Sequence, residues 1–417
     1  MERADLIRLL GSPSAVAEMR DVIVEERDPS LFIASFADAV AAGGTVFLAD
    51  PAWGAGERAQ FSAWVSLRPS TTGLRSQDSG LSAPSSDLGW LCIPTGGSSG
   101  NLKLARHDEK TIAAAVQGFC AHFGVAKVNA VGLLPLNHVS GFMAWMRTVL
   151  TGGTYLPWNW KAVEAGERPV LPAGQGEWFL SLVPTQLQRL LGDAGAEDWL
   201  RGFRAVFVGG GPAWPELVEA GAEAGLPLAF SYGMTETAAM VAALRPEEFL
   251  AGMRGSGTVL PHATVVVGAE GRLAIESTSF FRGYWPEARP AGPWLTDDLG
   301  HVDEQGCLHV TGRCDALIVT GGEKVDPTEV EAALRATRQF GDVAVIGMPD
   351  SQWGECVVAC YPEEFGPGDL PAVMRALATR LAGFKHPKRY IAIDRWPRNA
   401  QGKVNRAELR RIVDRKT

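Results

Sequence analysis

Residues 93–103 read Ile-Pro-Thr-Gly-Gly-Ser-Ser-Gly-Asn-Leu-Lys, which crowds glycines, hydroxyls and a lysine into one short stretch. Gly96, Gly97 and Gly100 let backbone N–H groups turn toward an anion. Thr95, Ser98 and Ser99 add hydroxyl donors, and Lys103 adds a mobile positive charge. The combination suits a polyphosphate. No Gly-Lys-Ser/Thr follows the first glycine at Walker A spacing, so this is not that motif. A Ser/Gly-rich surface linker would have the same composition, and the choice between the two readings rests on what lies downstream.

The elements that must carry this stretch follow from hydrophobic periodicity. An apolar run, residues 90–93, enters the loop. Residues 108–123 have an amphipathic helical pattern with Ile112, Val116, Phe119 and Phe123 on one side, which would set a helix N-terminus near the loop. Strands are expected at 45–49, 130–134, 179–183, 205–208 and 227–231, interleaved with helices after Gly141, over 185–191 and from about Pro215. Repeated strand–loop–helix units with apolar strands argue for an α/β fold with a largely parallel sheet covered by helices. Ligands collect at the carboxyl ends of such strands. Those ends carry Pro135-Leu-Asn-His138-Val-Ser140-Gly141, Gly209-Gly210-Gly211-Pro212 and Tyr232-Gly233-Met234-Thr235-Glu236-Thr237.

From about Gly257 the strands become shorter and alternating (264–267, 273–275), which indicates a small antiparallel subdomain. Asp326-Pro-Thr-Glu329 is a helix start with an N-cap and Pro in the first turn. Strands at 343–346 and 357–360 and a helix around 371–382 complete an α+β module. The expected division is therefore a large domain over 1–311, a hinge at 312–315 and a mobile C-terminal domain over 316–417. Residues 69–86, rich in Ser, Gly and Pro, read as a mobile surface loop.

Composition narrows the function classes. The 417 residues carry a net charge of −8, which disfavours non-specific binding to nucleic-acid phosphate. No apolar stretch is long enough to span a bilayer, and the first residues lack a signal-peptide layout. Six cysteines without a Cys-x-x-Cys pair suggest reduced core thiols in a cytoplasmic protein.

The ordered motifs resemble those of the adenylate-forming superfamily of acyl-CoA synthetases, adenylation domains and luciferases, over residues 93–417. Thr95-Gly-Gly-Ser-Ser-Gly-Asn-Leu-Lys103 resembles its phosphate loop. Gly209-Gly-Gly-Pro212 and Tyr232-Gly-Met-Thr-Glu236 resemble its adenine and ATP–magnesium segments. Thr296-Asp-Asp298 resembles its ribose aspartate motif, and Gly312-Arg-Cys-Asp315 its arginine and hinge. Pro397-Arg-Asn-Ala-Gln-Gly-Lys403-Val-Asn-Arg406 resembles the segment with the adenylation lysine. Within the superfamily, residues 134–141, 181–187 and 231–237 are similar to those of the 2-succinylbenzoate–CoA ligases. Three departures stand out. Leu102 replaces the usual proline, which would loosen the loop; Asp297 replaces a glycine; and the region ahead of the phosphate loop is short.

The resemblance implies two steps: a carboxylate attacks the α-phosphorus of ATP, and CoA thiol then attacks the acyl-adenylate. Attack of one anion on another needs charge neutralisation and in-line positioning. It implies Lys403 over the α-phosphate and Glu236 on magnesium, a hard cation that prefers oxygen ligands. Asp298 would accept the ribose hydroxyls, Arg313 would offer a donor fork, and Tyr232 would lie against adenine. His138, Ser140, Gly209 and Thr237 would face the acyl group; a second substrate carboxylate would need donors or a cation. Gly321, Gly322 and Lys324 would line the pantetheine path, and Asp315 would be the hinge. The expected ligands are ATP, Mg2+, CoA and 2-succinylbenzoate, with a homodimer left open. The rivals are a ligase for another aryl or fatty acid, a carrier-protein loader, and a non-catalytic nucleotide-binding protein.

Overall fold

The computed structural model describes residues 1–11, 19–67, 89–96, 102–172, 176–398 and 404–416. Gly97, Ser98, Ser99, Gly100 and Lys403 lie outside the described residues, as do residues 69–86.

The apolar runs of the middle of the chain form one seven-stranded sheet. Tyr155–Pro157, Asn129–Gly132, Trp178–Leu182, Ala205–Val208 and Leu228–Met234 run parallel; Ala239–Ala243 and Thr258–Val259 extend it antiparallel. Both faces are buried, and side-chain alternation divides them. Leu180, Leu182, Val206, Val208 and Leu228 pack against the helices Pro184–Leu190, Ala194–Arg201 and Pro215–Glu223. Phe179, Ala205, Phe207 and Ala229 face Phe119 and Phe123 of the helix Glu109–Phe123.

That helix and its neighbour Val139–Thr151 are held between two sheets. Their other sides, with Ile112, Val116, Phe142, Trp145 and Met146, meet Val46, Leu48, Leu91 and Ile93 of a five-stranded sheet. It is ordered Arg20–Val24, Gly43–Leu48, Leu91–Gly96, Leu102–His107, Gly283–Tyr284. Arg20–Val24 escaped the sequence reading because it is mostly exposed, with Val24 alone fully buried. The antiparallel subdomain is present as a four-stranded sheet, Ala263–Val267, Arg272–Ser277, Trp294–Val302 and Leu308–Arg313. The C-terminal region folds on its own sheet, with the helix Pro327–Arg335 capped by Asp326 as the sequence indicated.

Two expectations are corrected. The glycine-rich stretch does not lead directly into the helix at 109. Leu102–His107 intervenes as a strand paired antiparallel with Leu91–Gly96, and six residues of strand span roughly 20 Å. The helix N-terminus is therefore at the far end of a hairpin, where Asp108 accepts from Lys110 and Thr111 N–H and already serves the dipole. Leu102, in turn, is not a loosening residue. Its side chain is buried against Phe47, Phe61 and Trp285, its N–H donates to Gln60 Oε1 at 2.9 Å, and its carbonyl accepts from Trp64 Nε1 at 2.9 Å. A proline could not make the first of these bonds.

Candidate active site

Tyr232, Gly233 and Met234 belong to the strand Leu228–Met234 itself, which runs further than its apolar run because Ala239–Ala243 pairs back onto it. The tight return explains Gly233: a Cβ there would lie 2.0 Å from the Ala239 carbonyl oxygen. Between the strands, Thr235–Thr237 makes one 3-10 turn, and Ala238 and Ala239 take positive φ values of 51° and 80°. Two alanines in the left-handed region are strained, and such strain persists where surrounding packing over-determines it. Ala239→Gly should accordingly raise unfolding stability by ~0.5–1 kcal/mol, the left-handed cost less the entropy of glycine. The readout is the urea midpoint; a lowered midpoint would mean that the methyl group's packing outweighs the strain.

The turn fixes Glu236. Its carbonyl accepts from Phe281 N–H at 2.8 Å, and the Thr235 carbonyl meets His107 Nε2 at 2.8 Å. Burial pushes His107 down to about 4, so it stays neutral. The Glu236 side chain is 8% exposed, and its Oε1 accepts from Tyr284 O–H at 2.5 Å. Lys103 Nζ lies 4.8 Å from the centroid of the same Tyr284 ring. Lys103 and Glu236 are thus brought to one place through Tyr284, a residue the sequence reading missed. Burial, then the Glu236 charge, raises the Tyr284 hydroxyl, which keeps it a donor. Glu236 offers an oxygen donor of the kind magnesium takes. Thr95 faces Lys103 across the hairpin as its Cα partner, and Gly96 faces Leu102.

A second group is built where three segments meet. Asp298 and Arg313 are Cα partners on adjacent antiparallel strands. Asp298 is buried, with Oδ1 3.1 Å from Arg313 Nη1 and Oδ2 accepting from Tyr232 O–H at 2.6 Å. Arg313 also grips Asp315 with Nε and Nη2 at 2.7 and 2.8 Å. These carboxylates raise the guanidinium, so it stays charged. The Tyr232 ring is buried and its hydroxyl is spent on Asp298, which fixes the carboxylate while leaving it further acceptor capacity. Asp297, the departure from glycine, lies 3.1 Å from Arg272 and 3.5 Å from Arg313.

Of the residues expected to face an acyl group, Thr237 has its hydroxyl turned inward. It has no exposed surface, and its hydroxyl takes the Met234 N–H and donates to Ala239 O at 2.6 Å. The Gly209 N–H is likewise engaged, by the Leu182 carbonyl at 3.3 Å. Gly210, Gly211 and Pro212 are exposed, and Ser140 is half-buried in the first turn of Val139–Thr151. His138 is the N-cap residue of that helix, with Nε2 3.3 Å from Asp50 Oδ2.

A buried cation on the same helix went unnoticed in the sequence. Arg147 is 4% exposed, its guanidinium 4.3 Å from the Phe119 ring and 5.9 Å from that of Phe207. It borders a small cavity with Phe179, Ser181 and Phe207. Burial pushes it down to about 10, Cys120 is the one group that raises it, and its buried Nε has no partner among the described residues. A buried cation with no described carboxylate beside it is costly to keep.

In the small domain, Gly321 and Gly322 form the two-residue turn of the hairpin Ile318–Thr320/Glu323–Val325, with φ values of 59° and 85°. Lys324 is exposed beside them. Glycines are what such a turn requires, so their presence needs no ligand. The body and the small domain touch where Arg335 stands 5.0 Å from the Trp214 ring, just after the Gly209-Gly-Gly-Pro segment.

Comparison with known proteins bears on this arrangement directly. Residues 23–285 match the family described as AMP-binding enzyme, and residues 329–403 match the AMP-binding enzyme C-terminal domain. The 2-succinylbenzoate–CoA ligase of Geobacillus kaustophilus is 34% identical over 303 residues, 67% of this chain and 60% of that protein. The Enterococcus faecalis ligase of the same name is 30% identical over 326 residues, 74% of this chain and 67% of the relative. The matched span of this chain thus takes in 60% of the Geobacillus protein's length. Among solved structures, o-succinylbenzoate CoA synthetase from Bacillus subtilis with its acyl-adenylate superposes with a TM-score of 0.76 at 22% identity, covering 98% of this chain and 91% of that one. ATP-bound MatB from Rhodopseudomonas palustris gives 0.77 at 23%, covering 98% and 92%. These likenesses establish the adenylate-forming fold, and the matched motifs and both matched regions make the chain a member of the AMP-binding enzyme family.

Proposed function

We infer that the chain is an AMP-forming acid–thiol ligase that converts 2-succinylbenzoate, ATP and CoA to 2-succinylbenzoyl-CoA, a step of menaquinone biosynthesis. The curated relatives of that name support it. The observation that carries the substrate choice is Arg147. 2-Succinylbenzoate has two carboxylates, and only one reacts. The other, if buried, needs a compensating cation, and Arg147 is a buried cation on the helix Val139–Thr151, set against Phe119 and Phe207. Each would supply the charge the other lacks.

In this reading a carboxylate oxygen attacks the α-phosphorus of ATP and pyrophosphate leaves. The CoA sulfur then attacks the acyl carbon and AMP leaves. Lys103 and Lys403 neutralise phosphate charge, and Tyr284 holds Glu236 toward the metal position. Magnesium, when bound, supplies positive charge to the phosphate oxygens. Asp298, set by Tyr232 and Arg313, takes the ribose hydroxyls. Asp315, clasped by Arg313, marks the hinge between the two domains, and Gly321, Gly322 and Lys324 take the pantetheine arm. No described helix is long and apolar enough to cross a membrane, and all six cysteines are free thiols. Both fit action in the cytoplasm on small molecules.

The test is pyrophosphate release by purified protein across a panel of carboxylates. 2-Succinylbenzoate should be preferred over benzoate and octanoate; equal use of either would remove the substrate assignment while leaving adenylation intact.

A further inference from the structure

His138 and Asp50 come from segments 88 residues apart in sequence and meet at the N-terminus of the helix Val139–Thr151. Asp50 follows the strand Gly43–Leu48, and His138 caps the helix that carries Arg147. Their side chains are 8% and 15% exposed. One Asp50 oxygen, Oδ1, accepts from Ala52 N–H at 2.8 Å, which fixes the carboxylate. The other, Oδ2, lies 3.3 Å from His138 Nε2, an ion-pair contact rather than an aligned hydrogen bond. Contacts of this kind are often long until substrate is bound. The Asp50 carboxyl would be raised by burial, but His138, the Ala52 N–H and Asn137 hold it below the usual carboxylate range, so it is ionised at neutral pH.

An ionised carboxylate facing one imidazole nitrogen selects the tautomer with its proton on that nitrogen. Nε2 is buried against Asp50, and Nδ1 bonds to no described residue. The ring therefore offers Nδ1 as a proton acceptor. Of the reacting groups in the ligase reading, carboxylate and phosphate reach the site already ionised. The thiol, with an ordinary pKa of about 8.5, is the one that still has a proton to lose.

We propose that Asp50 is a positioning residue that holds His138 with Nε2 protonated, so that His138 Nδ1 takes the proton of the incoming thiol in the second half-reaction. As the S–H bond breaks, the proton passes to Nδ1. The sulfur pair forms the new bond to the acyl carbon, and the acyl–phosphate C–O bond breaks to release AMP. The catalytic step rests on the ligase reading; the Asp50–His138 pairing does not.

The experiment has two arms on the full chain. In the first, protein labelled with 15N-histidine is compared with Asp50→Ala and Asp50→Asn by imidazole 15N–1H correlation. The seven histidines are few enough for His138 to be assigned from the signal lost in His138→Gln. The Nε2–H pattern should be present in the unaltered protein and lost in Asp50→Ala. In the second arm, synthetic 2-succinylbenzoyl-adenylate and CoA are supplied and thiol loss is followed, beside pyrophosphate release from ATP. Asp50→Ala should slow thiol transfer on the order of 10²-fold more than adenylation. Asp50→Asn, of the same shape, guards against a folding defect and should show the same imbalance. An unchanged tautomer in Asp50→Ala, or equal losses in both half-reactions, would overturn the proposal. If the unaltered protein fails to use the synthetic adenylate, the ligase reading falls and the tautomer arm still decides the pairing.

Discussion

Replacing Arg147 with methionine is expected to lower kcat/KM for 2-succinylbenzoate by about 10³-fold, because loss of one partner from a buried ion pair costs roughly 2–5 kcal/mol. The same change should leave benzoate turnover within about threefold, since benzoate brings no second charge to be met. The free protein should respond in the opposite direction. Arg147 has no described carboxylate partner, and burial already disfavours its charged form. A methionine of similar length removes a desolvated charge and keeps the packing against Phe119 and Phe207, so the melting temperature should rise. Kinetics across the two substrates, with thermal unfolding of the apo-protein, check both halves. A fall in stability together with equal losses for both acids would mark Arg147 as a structural residue and leave the dicarboxylate reading without its support.

Glu236→Gln should reduce adenylation by about 10³-fold, the upper range for removing one positioned group from a charge-stabilising site. Glutamine preserves the shape and can still accept from Tyr284, but it withdraws the negative charge that a hard cation prefers. The loss should show as a higher magnesium concentration for half-maximal pyrophosphate release. Turnover of supplied acyl-adenylate with CoA should be far less affected, because pyrophosphate has already left. If magnesium dependence is unchanged in the variant, Glu236 is a buried anchor of the strained turn and not a metal ligand.

What the sequence disclosed divides by distance along the chain. Four of the five parallel strands were legible because they are short apolar runs closed by proline or glycine; the edge strand Tyr155–Pro157, three half-buried residues, was not. The Tyr232–Thr237 and Gly312–Asp315 segments carried motifs of their own, while most of the glycine-rich stretch lies outside the described residues. Pairings across the chain were not. Tyr284 reaches Glu236, and Asp50 reaches His138, through sheet assembly that no local pattern encodes. The strand Leu102–His107 was hidden because Leu-Lys-Leu-Ala-Arg-His mixes charge with apolar residues, and its Arg106 is fully buried beside Trp285. Thr237 was misassigned because a motif places the residue but not its hydroxyl. Arg147 did leave a signal: it stands in an apolar helix whose neighbours one turn away, Met143, Ala144, Leu150 and Thr151, include no acid to pair with it.

The most direct measurement incubates the purified chain with 2-succinylbenzoate, ATP, Mg2+ and CoA and identifies the products by mass spectrometry. The expected products are 2-succinylbenzoyl-CoA together with equal amounts of AMP and pyrophosphate, and, when CoA is withheld, the acyl-adenylate. Formation of ADP in place of AMP, or absence of thioester while another carboxylate is converted, would contradict this expectation.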